Sequence, residues 1–178
     1  VDTWFDRMNA YAESKGIELE HYIISSGLKE MIEGTSVAKN GAFEHVYASA
    51  FYYDENGVAK WPAQVVNYTG KTQILFRIQK GVMDVNDSAV NDHFAPEDIR
   101  VPFRNMVYIG DSDTDVPCMK LVNDNGGYSI GVYYKEKKST VRRLLNEDRV
   151  NFALQADYRE GSELISVLHD IIGKIAAE

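Results

Sequence analysis

The sequence MVYIGDSDTD at residues 106–115 joins a short apolar run to a glycine and a cluster of carboxylates. A brief apolar run that stops at a glycine is typical of a buried strand. The three aspartates that follow it repel one another unless water or a cation neutralises their charge. We therefore predict a central strand at Met106–Ile109 with a metal-binding cluster at its carboxyl end.

Two of these aspartates are the candidate metal ligands, Asp111 and Asp115. Mg²⁺ prefers hard oxygen ligands and is usually held by one or two carboxylates and several waters. The alternative is helix capping by Asp113 or Asp115 before Val116. We expect Asp113 to act mainly as such a cap, whereas capping leaves Asp111 unexplained.

Apolar periodicity predicts strands that alternate with helices on both sides of this stretch. The pattern predicts an α/β fold, a Rossmann-like three-layer sandwich with a mostly parallel sheet. Asn56-Gly57 indicates a β-hairpin, and residues 85–104 are predicted to be a long loop. The predicted strands are 20–25, 43–50, 106–109, 128–132 and 152–156, and the predicted helices are 3–15, 28–33, 71–79, 116–123, 139–146 and 162–175.

Charge and cysteine content exclude several classes of protein. The net charge of −8 argues against nonspecific binding to nucleic acid or to an anionic membrane. No apolar run is long enough to span a bilayer. With the single cysteine Cys118, no intrachain disulfide forms, which favours a cytoplasmic location. A small anionic substrate remains compatible because a bound metal inverts the local field. Nothing specifies an oligomeric state.

Two further clusters stand at the ends of predicted elements. Ser25, Ser26 and Gly27 follow a strand, where a hydroxyl and free backbone N–H groups suit phosphate oxygens. Helix capping by Ser26 is the alternative. Lys71 stands at a helix start, where it opposes the helix dipole, which indicates a nearby anion. A solvated surface lysine is the alternative there.

Ser25, Lys71 and the Gly110-Asp111-x-x-x-Asp115 cluster, in this order, resemble the second, third and fourth motifs of the haloacid dehalogenase superfamily. The stretch Gly70-Lys71-Thr72-Gln73-Ile74-Leu75 is similar to the lysine helix of the phosphoserine phosphatase branch. The resemblance covers nearly the whole chain. It implies a Mg²⁺-dependent hydrolase that acts on a small phosphorylated metabolite.

The same resemblance implies a role for each matched residue. Ser25, with Ser26 and Gly27, would hold the transferring phosphoryl group. Lys71 would neutralise charge on that group and on the nucleophilic carboxylate. Asp111 would coordinate Mg²⁺, and Asp115 would support the metal site directly or through another residue. A noncatalytic phosphate- or metal-binding domain is the alternative function.

The family's first motif, a strand followed by Asp-x-Asp that carries the nucleophile, has no match in this chain. We expect the chain to be the downstream part of a longer protein in which the nucleophile lies upstream. Residues 1–178 would form one core domain. Within it, residues 1–16 would be a remnant of the cap or its linker helix, and residues 45–66 a hairpin elaboration. The aromatic run Tyr47–Tyr53 with Trp61 is either core packing or a flap that faces the substrate.

Overall fold

The computed structural model describes residues 3–134 and 138–178. Helices and strands alternate along the chain, as the apolar periodicity predicts. The helices are α1 (Trp4–Ser14), α2 (Lys29–Glu33), α3 (Ser36–Lys39), α4 (Tyr68–Lys80), α5 (Val116–Asp124), α6 (Lys138–Asn146) and α7 (Glu163–Ala177). The strands are β1 (Tyr22–Leu28), β2 (His45–Tyr53), β3 (Ala59–Gln64), β4 (Val107–Gly110), β5 (Tyr128–Tyr133) and β6 (Phe152–Gln155).

The six strands form two three-stranded sheets. In the first, β1 is parallel to β2, and β2 is antiparallel to β3. In the second, β4, β5 and β6 are all parallel. The predicted α/β class with mostly parallel strands is confirmed, but the one sheet that was expected is present as two.

Helices cover the strands on two faces. On one face α4, α5 and α6 form a buried cluster with side chains of β2 and β4, including Tyr47, Ile74, Met119 and Leu144. On the other face α1 and α7 pack over β5 and β6. Burial of both faces explains why the parallel strands are nearly continuous apolar runs. The predicted three-layer arrangement is confirmed.

The first half of α4 lies near the carboxyl ends of β1 and β2. Ser49 pairs with Leu28 at the end of β1, and its hydroxyl accepts a hydrogen bond of 3.0 Å from the N–H of Val66. The helix begins two residues later, where the side chain of Asn67 caps it by accepting from the N–H of Gly70.

The other end of α4 lies near the residues that precede β1 and β4. The carbonyl of Gln79 accepts a hydrogen bond from the N–H of Val101, and the neighbouring Arg100 forms an ion pair with Glu20, before β1. The first turn of α4 meets the turn after β4 through Lys71 and Asp115. Because α4 runs antiparallel to both strands, β1 and β4 run in the same direction.

Both β1 and β4 lie at a sheet edge. Within residues 3–134 and 138–178, no strand pairs with the outer edge of either. We call these two outer edges the open edges. An unpaired strand edge leaves N–H and C=O groups without partners. This division is the arrangement expected if the central strand is supplied from elsewhere, and the missing strand itself stays a prediction.

The hairpin predicted from Asn56-Gly57 is present as β2 and β3. Gly57 adopts φ +74°, which favours glycine, and Asp54 organises the turn by accepting N–H bonds from Asn56 and Val58. The predicted long loop at residues 85–104 contains two short 3₁₀ turns and the start of a third. The partition into one core domain with a cap remnant at residues 1–16 stays a prediction, although α1 packs against α7. No helix in the described ranges is both long and apolar enough to cross a membrane.

Candidate functional site

The centre of the candidate site is a buried ion pair between Lys71 and Asp115. The Lys71 Nζ lies 2.7 Å from the Asp115 Oδ1, and both residues are buried. The same oxygen accepts a 2.8 Å hydrogen bond from the Tyr108 hydroxyl. The other oxygen, Oδ2, accepts from the Ser112 hydroxyl at 2.8 Å and from its N–H at 3.3 Å. Each carboxylate oxygen therefore has two donors.

These contacts keep Asp115 ionised. Burial, the largest single influence, raises its pKa, but the hydrogen bonds from Lys71, Tyr108 and Ser112 and the charge of Lys71 outweigh burial. The net pKa of Asp115 lies below its ordinary value. The pKa of Tyr108 is raised by burial and by the nearby Asp115, so its hydroxyl stays protonated and donates.

The turn after β4 explains how Asp115 folds back toward the strand. Residues Asp113–Asp115 form a 3₁₀ turn whose N-cap is Ser112, and the Asp115 side chain accepts from the Ser112 N–H. The prediction that Asp113 acts as the cap is wrong. Its side chain is 78% exposed and pairs loosely with Arg143 at 3.8 Å. The Asp115 carboxylate is instead bound by the N–H of Ser112, the residue before the turn.

Gly110 is required because Asp115 lies against its backbone. A Cβ on Gly110 would stand 2.7 Å from the Cβ and 2.8 Å from the Cγ of Asp115, and 2.7 Å from the Cε of Met119. Real side chains do not pack that closely. Gly110 therefore leaves the space that the side chain of Asp115 occupies.

Substituting Gly110 with alanine is expected to lower the free energy of unfolding by about 1–3 kcal/mol, because the methyl group overpacks the Asp115 turn. Urea unfolding of the purified protein measures this change. The matched control is Gly173→Ala in α7, where a Cβ meets nothing within 4 Å. That change is expected to be neutral or to stabilise the helix by up to about 1 kcal/mol. Equal effects at the two positions would contradict the account.

Lys71 reaches Asp115 from the first turn of α4, 44 residues away in sequence. Its Nζ also lies 3.4 Å from the Thr114 hydroxyl. The sequence indicated that a lysine at this helix start needs an anion, and the structure places one against it. The alternative of a solvated surface lysine is wrong, since Lys71 is 4% exposed.

Asp111 differs from Asp115 in its exposure and in its contacts. It directly follows β4, its side chain is exposed, and it makes no hydrogen bond or ion pair with the described residues. One free carboxylate beside a sheet end fits Mg²⁺, which keeps several waters and accepts one or two protein carboxylates. No group of three or more His, Cys, Asp or Glu side chains in the described ranges forms a complete metal site. The assignment of Asp111 and Asp115 to a metal site stays a prediction.

Ser25, Ser26 and Gly27 were predicted to follow the strand, but they lie within the last part of β1, where the pairing with β2 is irregular between Ile24 and Leu28. We call these three residues the β1-end loop. The Ser25 hydroxyl accepts a 3.0 Å hydrogen bond from the Gly27 N–H, while Ser26 and Gly27 are exposed. The alternative of a Ser26 helix cap is wrong, because α2 begins after Leu28, which makes no side-chain capping bond. The structure brings Lys71 and Asp115 together, and neither forms a hydrogen bond or ion pair with this loop.

Comparison with protein families settles the membership of the chain. The model of the haloacid dehalogenase-like hydrolase family matches residues 2–120. The chain belongs to this family. The match includes the β1-end loop, Lys71 and the carboxylate cluster, which are the residues that carry the predicted resemblance.

Among curated proteins, this haloacid dehalogenase-like chain is similar to an uncharacterized protein of Borreliella burgdorferi. The two are 28% identical over 172 residues, which cover 88% of this chain and 59% of the relative. The chain thus spans 59% of the length of the relative that it matches.

Sequence reasoning missed two members of the Asp115 network, Tyr108 and Ser112. Ser112 has a local signal, because Ser-x-x-Asp at residues 112–115 resembles a capping box. Tyr108 has none, since a tyrosine within an apolar strand is equally typical of core packing. Cys118, predicted to be a small buried residue, is 0% exposed, and burial raises the pKa of its thiol to about 11. It is therefore protonated and inert.

Proposed function

We propose that the longer protein containing this chain is a Mg²⁺-dependent phosphomonoester hydrolase that acts on a small metabolite in the cytoplasm. The observation that carries the proposal is the buried Lys71–Asp115 pair at the ends of parallel strands, beside Asp111, which is exposed and has no partner among the described residues. Ligands of open α/β sheets gather at that end of the strands. The family membership of the chain supports hydrolysis as the chemistry.

Phosphoryl transfer depends mainly on charge neutralisation and in-line positioning. In this proposal the ammonium group of Lys71 stabilises negative charge on the phosphoryl oxygens. Asp115, Thr114 and the geometry of α4 hold that group in place before substrate arrives. The fixed position matters because a donor that is already oriented needs no reorganisation during the reaction.

The β1-end loop supplies the second element of the proposal. In this proposal the Ser25 hydroxyl donates a hydrogen bond to the phosphoryl oxygens, and the exposed Ser26 and Gly27 lie beside it. In the present structure the Ser25 hydroxyl accepts a bond from Gly27 N–H, which leaves its own proton free for a phosphate oxygen.

The Asp111 carboxylate, with waters and oxygen groups from the nucleophile segment, would hold Mg²⁺. The metal, when bound, supplies charge neutralisation for the phosphoryl group. Asp115 supports the site through other residues, because both of its oxygens are already occupied by protein donors. An aspartate on the missing central strand would be the nucleophile that forms an aspartyl-phosphate.

A turnover assay tests the proposal. The purified full-length protein is expected to hydrolyse para-nitrophenyl phosphate in the presence of Mg²⁺ and to stop in excess chelator. Equal rates with and without chelator would remove the metal from the proposal. An absence of turnover under both conditions, with phosphate binding retained in calorimetry, would favour the noncatalytic binding domain instead.

A further inference from the structure

The β2–β3 hairpin carries a pair of exposed aromatic rings that the phosphate and metal chemistry does not use. Tyr52 and Trp61 are cross-strand partners, and their rings stack with centroids 4.4 Å apart and planes 13° apart. Tyr52 is 46% exposed and Trp61 is 56% exposed. Neither belongs to the buried clusters of the fold. We call these two residues the aromatic pair.

The strand that carries Tyr52 is joined to the β1-end loop by a direct hydrogen bond. The Ser49 hydroxyl donates to the carbonyl of Ser26 at 3.2 Å, and Ser49 pairs with Leu28 along β1. Tyr52 follows Ser49 on the same strand by three residues, which corresponds to about 10 Å of extended chain. The hairpin therefore extends beyond the β1-end loop, at the edge of the sheet where a phosphomonoester would be held.

A second connection fixes the hairpin against this loop. The Glu30 carboxylate, one turn after the loop, accepts a 3.3 Å hydrogen bond from the N–H of Phe51. The position of the aromatic pair is thus coupled to the segment that we assign to phosphate binding. Without these two hydrogen bonds, the distance between the hairpin and a phosphate bound at the β1-end loop would not be fixed.

Other occupants fit the hairpin less well. Strand addition from a second copy requires donors along the outer edge of β3, but Pro62 interrupts that edge. The hairpin turn carries Asp54 and Glu55, and the chain has a net charge of −8, so an anionic membrane surface is repelled. The exposed face of a stacked tyrosine and tryptophan favours a small planar group, which stacks on it with little entropy loss.

We infer that Tyr52 and Trp61 form a stacking surface for a planar aromatic leaving group, which makes aromatic phosphomonoesters the preferred substrate class. The inference rests on the proposed phosphatase function. Tyr52 and Trp61 would determine substrate specificity and would take no part in phosphoryl transfer.

The test compares two substrates in the full-length protein, para-nitrophenyl phosphate and glycerol phosphate. In Trp61→Ala, kcat/KM for para-nitrophenyl phosphate is expected to fall about five- to tenfold, the size of one lost stacking contact, through KM. The value for glycerol phosphate is expected to stay within about twofold, because this substrate has no ring to stack. Trp61→Phe, which keeps a ring, is expected to recover most of the loss.

The control is Leu145→Ala, which removes an exposed apolar side chain from α6, away from the hairpin. It is expected to leave the ratio of the two kcat/KM values unchanged. If Trp61→Ala lowers both substrates equally, or lowers the melting temperature with no change in the ratio, the pair has a packing role and the inference is overturned. If the wild type turns over neither substrate, the proposed function fails and takes the inference with it.

Discussion

Replacing Lys71 with methionine is expected to lower the free energy of unfolding by about 3–5 kcal/mol, because the buried Asp115 loses its cation. The two side chains are only 6% and 8% exposed, so water cannot compensate the stranded carboxylate. Methionine keeps most of the aliphatic volume of lysine, which limits the contribution of lost packing. Urea unfolding of the purified protein measures the change as a lower midpoint.

The chain contains a matched control for this prediction. Lys120 and Asp124 have the same Nζ–Oδ1 distance of 2.7 Å, but their side chains are 41% and 53% exposed. Lys120→Met is expected to cost less than about 1 kcal/mol, because an exposed pair on a helix contributes little. Equal costs at the two sites would contradict the importance of burial.

The same variant has an expected pH dependence. In the wild type the pKa of Asp115 lies below its ordinary, unfolded-state value, so its stabilising contribution is present above the unfolded-state pKa and is lost as the pH falls through the folded-state pKa. Without Lys71, the hydrogen bond and the charge that lower the pKa of Asp115 are both lost, so its folded-state pKa rises. The stability gap between wild type and Lys71→Met is therefore expected to narrow as the pH falls and to be widest near neutral pH.

Replacing Asp111 with asparagine is expected to lower kcat/KM for para-nitrophenyl phosphate by about 100-fold or more. The carboxylate is the proposed Mg²⁺ ligand, a bound metal contributes several kcal/mol of charge stabilisation, and each 1.36 kcal/mol is a factor of ten in rate. The melting temperature is expected to stay unchanged, because Asp111 is exposed and unpaired within the described residues. Initial rates at several Mg²⁺ concentrations, together with thermal unfolding, measure both effects.

Asp113 supplies the control for this second prediction. It is an exposed carboxylate two positions further along, and its pairing with Arg143 at 3.8 Å is loose. Asp113→Asn is expected to change kcat/KM by no more than about twofold, because an exposed pair of this kind contributes little. If both variants lost activity equally, a general loss of negative charge would explain the result better than a metal ligand at Asp111.

The sequence was sufficient to predict the order and type of most elements, because apolar periodicity and glycine turns are local properties, but it did not predict the short helix α3. It also indicated that Lys71 is unfavourable at a helix start unless an anion lies nearby. The identity of its partner depends on a contact across 44 residues, which local patterns do not encode. The family resemblance placed Lys71 and Asp115 in one site, and only the fold shows them joined to each other.

Two errors have a common origin. Asp113 was expected to cap the helix, and the strands were expected to form one sheet. In the first case Ser112 stands one residue earlier, where its N–H meets Asp115. In the second, β1 and β4 have no strand between them among the described residues, so the ladder is interrupted. Both outcomes depend on which backbone groups form hydrogen bonds in the folded chain. The pattern of residues along the sequence does not specify those partners.

The shared direction of the two open edges restricts how a strand could join them. Such a strand runs parallel to both neighbours, so it cannot enter by a tight hairpin and needs a crossover connection of about a dozen or more residues. The helix α1 already stands immediately before β1, and it lies on the face opposite α4. A strand joined upstream of α1 would connect to β1 through this helix. After β1, β2 and β3, the chain would cross back over that strand and reach β4 through α4. These two crossovers run in opposite directions along the sheet, and their helices lie on opposite faces. They therefore have the same hand, and both can be right-handed.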